Sequence, residues 1–272
     1  MTTMFLVPTQ VSLLLTGPAR EEYDLSSLHT IIYGGAPMYT EPLLQAIRAF
    51  GNIFVQIFGQ GEAPMTITTL PKEEHQADHD AVRLRRLTSA GREVTRVRVR
   101  IVDDQDQALG TSEVGEIMVR GDLVMKGYLN RPETTAETLK GGWLHSGDLG
   151  YLDSDGYLYI TDRKKDMIIS GGANIYPREV EEVISRHPAV AEVAVIGVPD
   201  AKWGEAVKAL VVPRPGQQAT EAEIIEHCRK NLASYKKPAS VEFLEALPKN
   251  AYGKILKREL RTPYWARQER NV

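Results

Sequence analysis

Two apolar runs close together in the chain, Thr30-Ile31-Ile32-Tyr33 and Ile53-Phe54-Val55-Gln56-Ile57-Phe58, place the strongest constraint on its fold. Neither alternates cleanly, as expected of strands covered on both faces, and the segment between them puts Leu43, Leu44, Ile47 and Phe50 on one side of a helix. Together they predict a βαβ unit with parallel strands. Thr40 is placed to cap the helix, and Pro42 suits its first turn. Two strands cannot by themselves cover both edges and both faces of a buried parallel sheet. Apolar edges near Ile31 and Phe54 are therefore expected to drive self-association, and a homo-oligomer is an expected state.

From about residue 81 the period changes. Val97, Val99 and Ile101 alternate with Arg98 and Arg100, and Glu116–Arg120 and Gly156–Ile160 follow, a pattern that predicts a smaller antiparallel or barrel-like subdomain. Asp103, Asp104 and Asp106 come directly after the two arginines and no aromatics interleave, so the arginines read as a solvated strand face rather than a nucleic-acid contact. Beyond the charged stretch Asp162–Asp166 the pattern restarts as an α/β module. Pro177 opens a helix with Val180, Val183 and Ile184, strands follow at Val193–Val198 and Ala209–Val212, and Thr220-Glu221-Ala222-Glu223 forms a capping box ahead of Ile224, Ile225, Cys228 and Leu232. Val241–Leu244 reads as a further strand, and Ile255, Leu256 and Leu260 as a last helix.

Composition narrows the class. A length of 272 residues suits about two domains, and 42% hydrophobic with 25% charged residues and a formal charge of −3 argues against wholesale disorder and against a basic nucleic-acid footprint. No apolar stretch approaches the ~20 residues of a transmembrane helix. The single cysteine, Cys228, cannot form an internal bridge, so a reducing cytoplasm is expected. The apolar residues Met4–Val7 and Val11–Leu15 are split by Pro8-Thr9-Gln10 and lack a basic leader, which reads as core rather than signal peptide.

Several chemical signatures fail on inspection. His75 and His79 lie one helical turn apart beside Asp78 and Asp80, but the segment from Lys72 to Asp80 is polar with no second ligand cluster, so a solvated loop is expected over a metal site. Gly253-Lys254 has Pro248 where a Walker A loop needs glycine, and no Gly-x-Ser-x-Gly elbow occurs. Cys228 lies on the apolar side of its helix and reads as packing. What remains is a series of short segments. Gly34-Gly35-Ala36-Pro37 follows the first strand and Phe58-Gly59-Gln60-Gly61-Glu62 the second, both at strand C-termini, where open α/β sheets bind ligands. Trp143–Asp148 puts a carboxylate after a tight turn, Asp162-Arg163 adds a fork of donors, Ser170-Gly171-Gly172 a mobile loop, and Pro248–Lys254 a point charge on a glycine-loosened loop. Singly, each is better explained as a strand-end turn or a solvated charge.

In this order, together with Gly115-Glu116-Ile117, Gly127-Tyr128, Gly147-Asp148, Asp162–Ile168, Ile175–Glu181 and Pro248–Lys254, the segments resemble the adenylate-forming (AMP-binding) superfamily, most closely its fatty-acid or aryl-acid CoA ligase branch. The resemblance implies an α/β fold in three parts: a partial α/β subdomain of the large domain over 1–80, a small β-barrel-like subdomain over 81–162, and a small α+β C-terminal lid domain over 168–272. A hinge at 163–167 would join the last two. It implies ATP, Mg²⁺ and CoA as cofactors and a carboxylic acid as substrate, with no nucleic acid and no membrane. Gly34, Gly35, Ala36 and Pro37 would line the adenine and acyl sites. Phe58 would stack on adenine, with Gly59, Gln60 and Gly61 beside it, and Glu62 would help to hold Mg²⁺. Asp148 and Arg163 would bind the ribose hydroxyls, and Lys254 would stabilise charge as the acid attacks ATP. Lys165 would be the hinge about which the last domain turns, carrying Gly171-Gly172 toward the pantetheine arm of CoA.

Two departures from the family pattern stand out. Gly61 replaces the usual threonine, removing a hydroxyl from the α-phosphate contact, and no segment matches the Ser/Thr/Gly-rich loop that cradles the β- and γ-phosphates. The chain therefore reads as the C-terminal half of a ligase, inactive alone unless a partner supplies the rest. A non-catalytic remnant or binding module, and an adenylating enzyme that loads a carrier protein's pantetheine, remain as alternatives.

Overall fold

Thr3–Leu6 forms a strand, β1, and Pro8–Thr16 a helix, α1, and this pair changes the reading of the first eighty residues. In the computed structural model, which describes residues 1–17, 22–76, 80–250 and 253–266, β1 pairs in parallel with β2 (Thr30–Gly34), and β2 in parallel with β3 (Phe54–Gln60) across helix α2 (Thr40–Phe50). Strand β4 (Ala63–Leu70) then returns antiparallel to β3, helix α3 spans Ala81–Arg86, and β5 (Arg92–Glu93) completes a five-stranded sheet in the order β1-β2-β3-β4-β5. The βαβ unit is present as predicted, but its strands are not edges. With β1 on one side and β4 on the other, Ile31 and Phe54 are both fully buried, and the self-association expected from them loses its physical basis. Helices α1 and α2 supply Val11, Leu43, Ala46 and Ile47 to the core around them. Thr40 does not cap α2: Tyr39 holds the cap position in extended backbone, and Thr40 is the first helical residue.

The second sheet of this region is made by β6 (Val97–Val102), β7 (Gly115–Gly121), β8 (Leu144–Leu152) and β9 (Leu158–Arg163), hydrogen-bonded in chain order, with helix α4 (Pro132–Thr138) between β7 and β8. It is antiparallel where β6, β7 and β8 pair, but it is an open sheet of four strands and forms no closed barrel among the described residues. Four strands are too few to close, and the neighbouring β5 belongs to the first sheet. Leu144 and Leu158 share a core with Ala63 and Ile67 of β4, which joins the two sheets.

The chain divides into two compact units, Met1–Thr161 and Asp162–Val272. In the second, β10 (Ile168–Ser170), β11 (Ala173–Ile175), β12 (Val190–Asp200), β13 (Gly204–Pro213) and β14 (Ser240–Phe243) form one sheet, with β13 at its centre. Helices α5 (Pro177–Ser185) and α6 (Glu221–Asn231) cover one face through Val180, Ile184, Ile224 and Cys228. Helix α7 (Lys257–Trp265) covers the other through Leu260 and Tyr264. This two-sided cover explains why β12 reads as an unbroken apolar run: Val193 and Val195 enter one core, Ala194 and Ile196 the other. The Thr220–Glu223 capping box forms as predicted. No helix among the described residues is long and apolar enough to cross a membrane.

Candidate nucleotide and acyl site

Parallel pairing sets Gly34, the last residue of β2, opposite Ile57, and β3 runs three residues further. A Cβ at Gly34 would come within 2.5 Å of the Ile57 carbonyl oxygen, which leaves no room for any other residue. Phe58, Gly59 and Gln60 do not follow the strand but are its last residues, and Gly61-Glu62 is the two-residue tip of the β3–β4 hairpin, between the paired Gln60 and Ala63. Phe58 is half-buried against the core that contains Ala63 and Ile67.

Glu62 is held from a distant part of the chain. Its carbonyl accepts from the Met125 N–H at 2.8 Å, and its carboxylate Oε1 accepts from Tyr128 Oη at 2.6 Å. Tyr128 is itself fixed, its N–H donating to Thr135 Oγ1 at 2.9 Å. The bond to Glu62, with a further contribution from burial, raises the Tyr128 phenol pKa. No group of three acidic or metal-ligating side chains gathers among the described residues. A lone carboxylate nevertheless suits Mg²⁺, which commonly takes one or two protein oxygens and completes its shell with phosphate and water.

Asp148 lies inside β8 rather than after a turn. Glu116 and Met118 of β7 pair with Leu149 and His145, so Ser146-Gly147-Asp148 form a bulge, and Gly147 takes the positive φ of +70° that this requires. The Gly147 N–H donates to Glu116 Oε1 at 3.2 Å and the Asp148 N–H to Ser146 Oγ at 3.1 Å, fixing a carboxylate that is 7% exposed.

His75 is no part of a solvated loop or a metal site. It is completely buried, with Nε2 2.9 Å from Tyr33 Oη, Nδ1 2.8 Å from the Pro71 carbonyl, and its ring beside Phe54. Burial pushes its pKa down to about 4. Asp80 caps α3, accepting from the Val82 and Arg83 N–H groups, while Asp78 and His79 lie outside the described residues.

In the second unit Arg163 ends β9, its N–H donating to Asp162 Oδ1 at 2.7 Å, and Lys165 sits in the single helical turn Lys164–Asp166 that follows. Ser170-Gly171-Gly172 is a tight hairpin rather than a mobile loop: Ser170 pairs with Ala173, and Gly171 and Gly172 adopt φ +57° and +82°. The Gly171 N–H donates to the Trp203 carbonyl at 2.8 Å. A Cβ there would lie 2.6 Å from the half-exposed Trp203 ring. The described part of Pro248–Lys254 is tied across its ends by hydrogen bonds. Asn250 grips Lys254 twice, its N–H donating to the Lys254 carbonyl and its Oδ1 accepting the Lys254 N–H, both at 2.9 Å. Ala251 and Tyr252 lie outside the described residues.

Sequence reasoning missed one cluster altogether. Lys257 Nζ lies 2.7 Å from Glu181 and 4.0 Å from Asp162, Asp162 also accepts from the Arg178 N–H, and Glu181 from the Val195 N–H. Burial alone would lower the Lys257 pKa, but the charges of Glu181 and Asp162 outweigh it and hold it above the ordinary lysine value. The only signal in the sequence was a glutamate on the apolar face of α5. Cys228 is fully buried, and burial pushes its thiol pKa up to about 11, as a packing role requires.

The strand-end glycines, the acidic hairpin tip and the bulged aspartate lie in the first unit and the lysine loop in the second, and comparison with known proteins gives the class. The family model of AMP-binding enzymes matches residues 1–129, and that of the AMP-binding enzyme C-terminal domain residues 179–254. The chain is 46% identical over 271 residues to a medium/long-chain-fatty-acid–CoA ligase, FadD8, of Mycobacterium tuberculosis, covering 97% of this chain and 46% of the relative. The amide bond synthetase McbA of Marinactinospora thermotolerans superposes with a TM-score of 0.90 at 39% identity, covering 97% of this chain and 52% of that one. The o-succinylbenzoate CoA synthetase MenE of Bacillus subtilis, solved with the acyl-adenylate intermediate OSB-AMP, superposes at 0.82 with 38% identity, covering 96% and 51%. The chain belongs to the adenylate-forming (AMP-binding) superfamily, in its acyl-CoA synthetase branch. It spans about half the length of the curated relatives it matches.

Proposed function

We propose that this chain carries the adenosine-, acyl- and CoA-handling residues of an ATP-dependent acid–CoA ligase. The reaction joins acid and ATP to acyl-AMP and pyrophosphate, then acyl-AMP and CoA to acyl-CoA and AMP. The observation that carries the reading is the hairpin tip at Glu62, tied by Tyr128, at the end of the strand that pairs with β2. Gly34–Pro37 would admit the planar base and the acyl group, and Phe58 would offer its ring face to adenine. Asp148 would accept from the ribose hydroxyls and Arg163 donate to them, charge-assisted bonds that contribute roughly 1.5–3 kcal/mol each. Glu62 would hold Mg²⁺, which when bound neutralises phosphate charge. Lys254, its backbone fixed by Asn250, would place an ammonium where negative charge grows during adenylation, a contact whose loss typically costs ~10²–10³ in rate. Rotation about Lys165 would then exchange the lysine loop for the Gly171-Gly172 turn and the thiol of CoA. A cytoplasmic setting, where ATP and CoA are supplied, fits this chemistry.

No segment of the chain matches the loop that cradles the β- and γ-phosphates in the family, so the half-reaction with ATP should fail on this chain alone. The step from acyl-AMP to acyl-CoA does not involve those phosphates. The test is to supply the chain with synthetic fatty-acyl or aryl adenylates and CoA, and in parallel with free acid, ATP, Mg²⁺ and CoA. Thioester from the first mixture and no AMP from the second is the expected result. An amine accepted in place of CoA would move the chain toward the amide bond synthetases, and binding of neither AMP nor CoA by calorimetry would leave only a non-catalytic remnant.

A further inference from the structure

Asp162–Asp166 is the stretch of chain at the boundary between the two compact units, and it carries Arg163 and Lys165. Four contacts bind it to elements of the second unit. The Asp162 carboxylate accepts the Arg178 N–H at 3.0 Å, at the start of α5, and lies 4.0 Å from Lys257 Nζ. Arg261, one helical turn beyond Lys257 on α7, donates Nη1 to the Lys165 carbonyl at 3.0 Å and pairs through Nη2 with Asp166, also at 3.0 Å. Glu181 holds Lys257 in place at 2.7 Å, while the Val195 N–H holds Glu181 from β12 at 2.8 Å. All the carboxylates of this group are nearly buried, so removing one cation leaves an uncompensated charge, and the pairs act as a set.

We propose that Lys257 and Arg261 are positioning residues that clasp the connecting segment to α7 in the conformation seen here, holding Arg163 and Lys165 in one geometry relative to the Lys254 loop from which α7 continues until rotation about Lys165 breaks the clasp. Both act through others: Lys257 through Asp162 and Glu181, Arg261 through Asp166 and the Lys165 carbonyl. The functional consequence rests on the ligase reading, because it is there that Arg163 binds ribose. The clasp itself is a property of the ligand-free chain.

Amide hydrogen exchange on the full chain tests it. Lys257→Met, Asp162→Asn and Arg261→Gln should each speed exchange across 163–167, including the Met167 N–H that donates to the Arg163 carbonyl, at least tenfold, while exchange in β12 stays at the wild-type rate. Lys257→Arg, which keeps the charge, should restore protection. Should Lys257→Met fail to fold, Arg261→Gln and Lys257→Arg still bracket the effect. Wild-type exchange at 163–167 in Arg261→Gln and Asp162→Asn, or a loss in Lys257→Met that Lys257→Arg does not rescue, would overturn the clasp. Calorimetry with AMP supplies the second readout: affinity should fall about tenfold in Arg261→Gln with Arg163 intact. If the unaltered chain binds no AMP, the ligase reading fails while the exchange result still decides the clasp.

Discussion

Tyr128 donates its phenolic proton to Glu62 at 2.6 Å across 66 residues of sequence. The hairpin tip that carries the candidate metal ligand is thereby tied to the segment leading into α4. A neutral donor on one carboxylate oxygen fixes the rotamer and leaves the other oxygen for a cation. Replacing Tyr128 by Phe should lower stability by about 1 kcal/mol, at the low end for a hydrogen bond to a charged group because the pair is only partly buried. Urea unfolding should show a lower midpoint at unchanged slope. An unchanged midpoint would mean that water replaces the phenol at no cost.

His75 makes the first unit sensitive to acid. Its folded pKa of about 4 lies below the ordinary value near 6.5, so between those pH values the unfolded chain binds the additional proton and stability falls as pH falls. The loss should approach about 3 kcal/mol below pH 4, with a slope of at most about 1.4 kcal/mol per pH unit. Chemical denaturation at pH 7.0, 6.0, 5.0 and 4.5 checks this. His75→Gln should flatten the profile across that window, and a profile unchanged by the substitution would assign the acid sensitivity elsewhere.

Gly171 and Gly172 separate backbone strain from steric clash. Both have positive φ, but a Cβ at Gly172 meets nothing within 4 Å, while one at Gly171 meets the Trp203 ring. Gly172→Ala should cost about 1 kcal/mol and Gly171→Ala more, about 2–3 kcal/mol. Trp203→Ala should recover most of the difference in a double-mutant cycle followed by thermal unfolding. Equal costs at the two glycines would show that the ring moves aside freely.

Asp148→Asn should weaken AMP binding about tenfold or more in calorimetry, since the amide keeps the shape of the carboxylate but loses its charge. Adenine alone should bind both forms equally. Equal losses for adenine and AMP would point to a damaged β8 bulge instead of a lost ribose contact.

How much of this could be read in advance depended on how local the cause was. The Thr220–Glu223 capping box and the α2 and α5 helices were legible because their determinants lie within one or two turns. Strands β1 and β4 were not: Thr3–Leu6 is short, Ala63–Leu70 carries Pro64 and three threonines, and each becomes a strand by pairing with β2 or β3. The burial of His75 was hidden for the same reason, because its neighbours Lys72–Gln76 are polar and the ring that receives it belongs to Tyr33. The order of short motifs made the family legible, and through it the candidate site residues. The contacts of Tyr128 with Glu62 and of Lys257 with Asp162 join segments far apart in sequence, while that of Asn250 with Lys254 is local.

Cys228, closed inside the core between α6 and the central sheet, has a use of its own. A lone thiol that reagents reach only when its surroundings open is a built-in clock for the second unit: its rate of modification counts openings of that core. Meanwhile any cysteine introduced on the surface can be tagged against a silent background, so probes can be placed at will on either unit without first engineering the native thiol away.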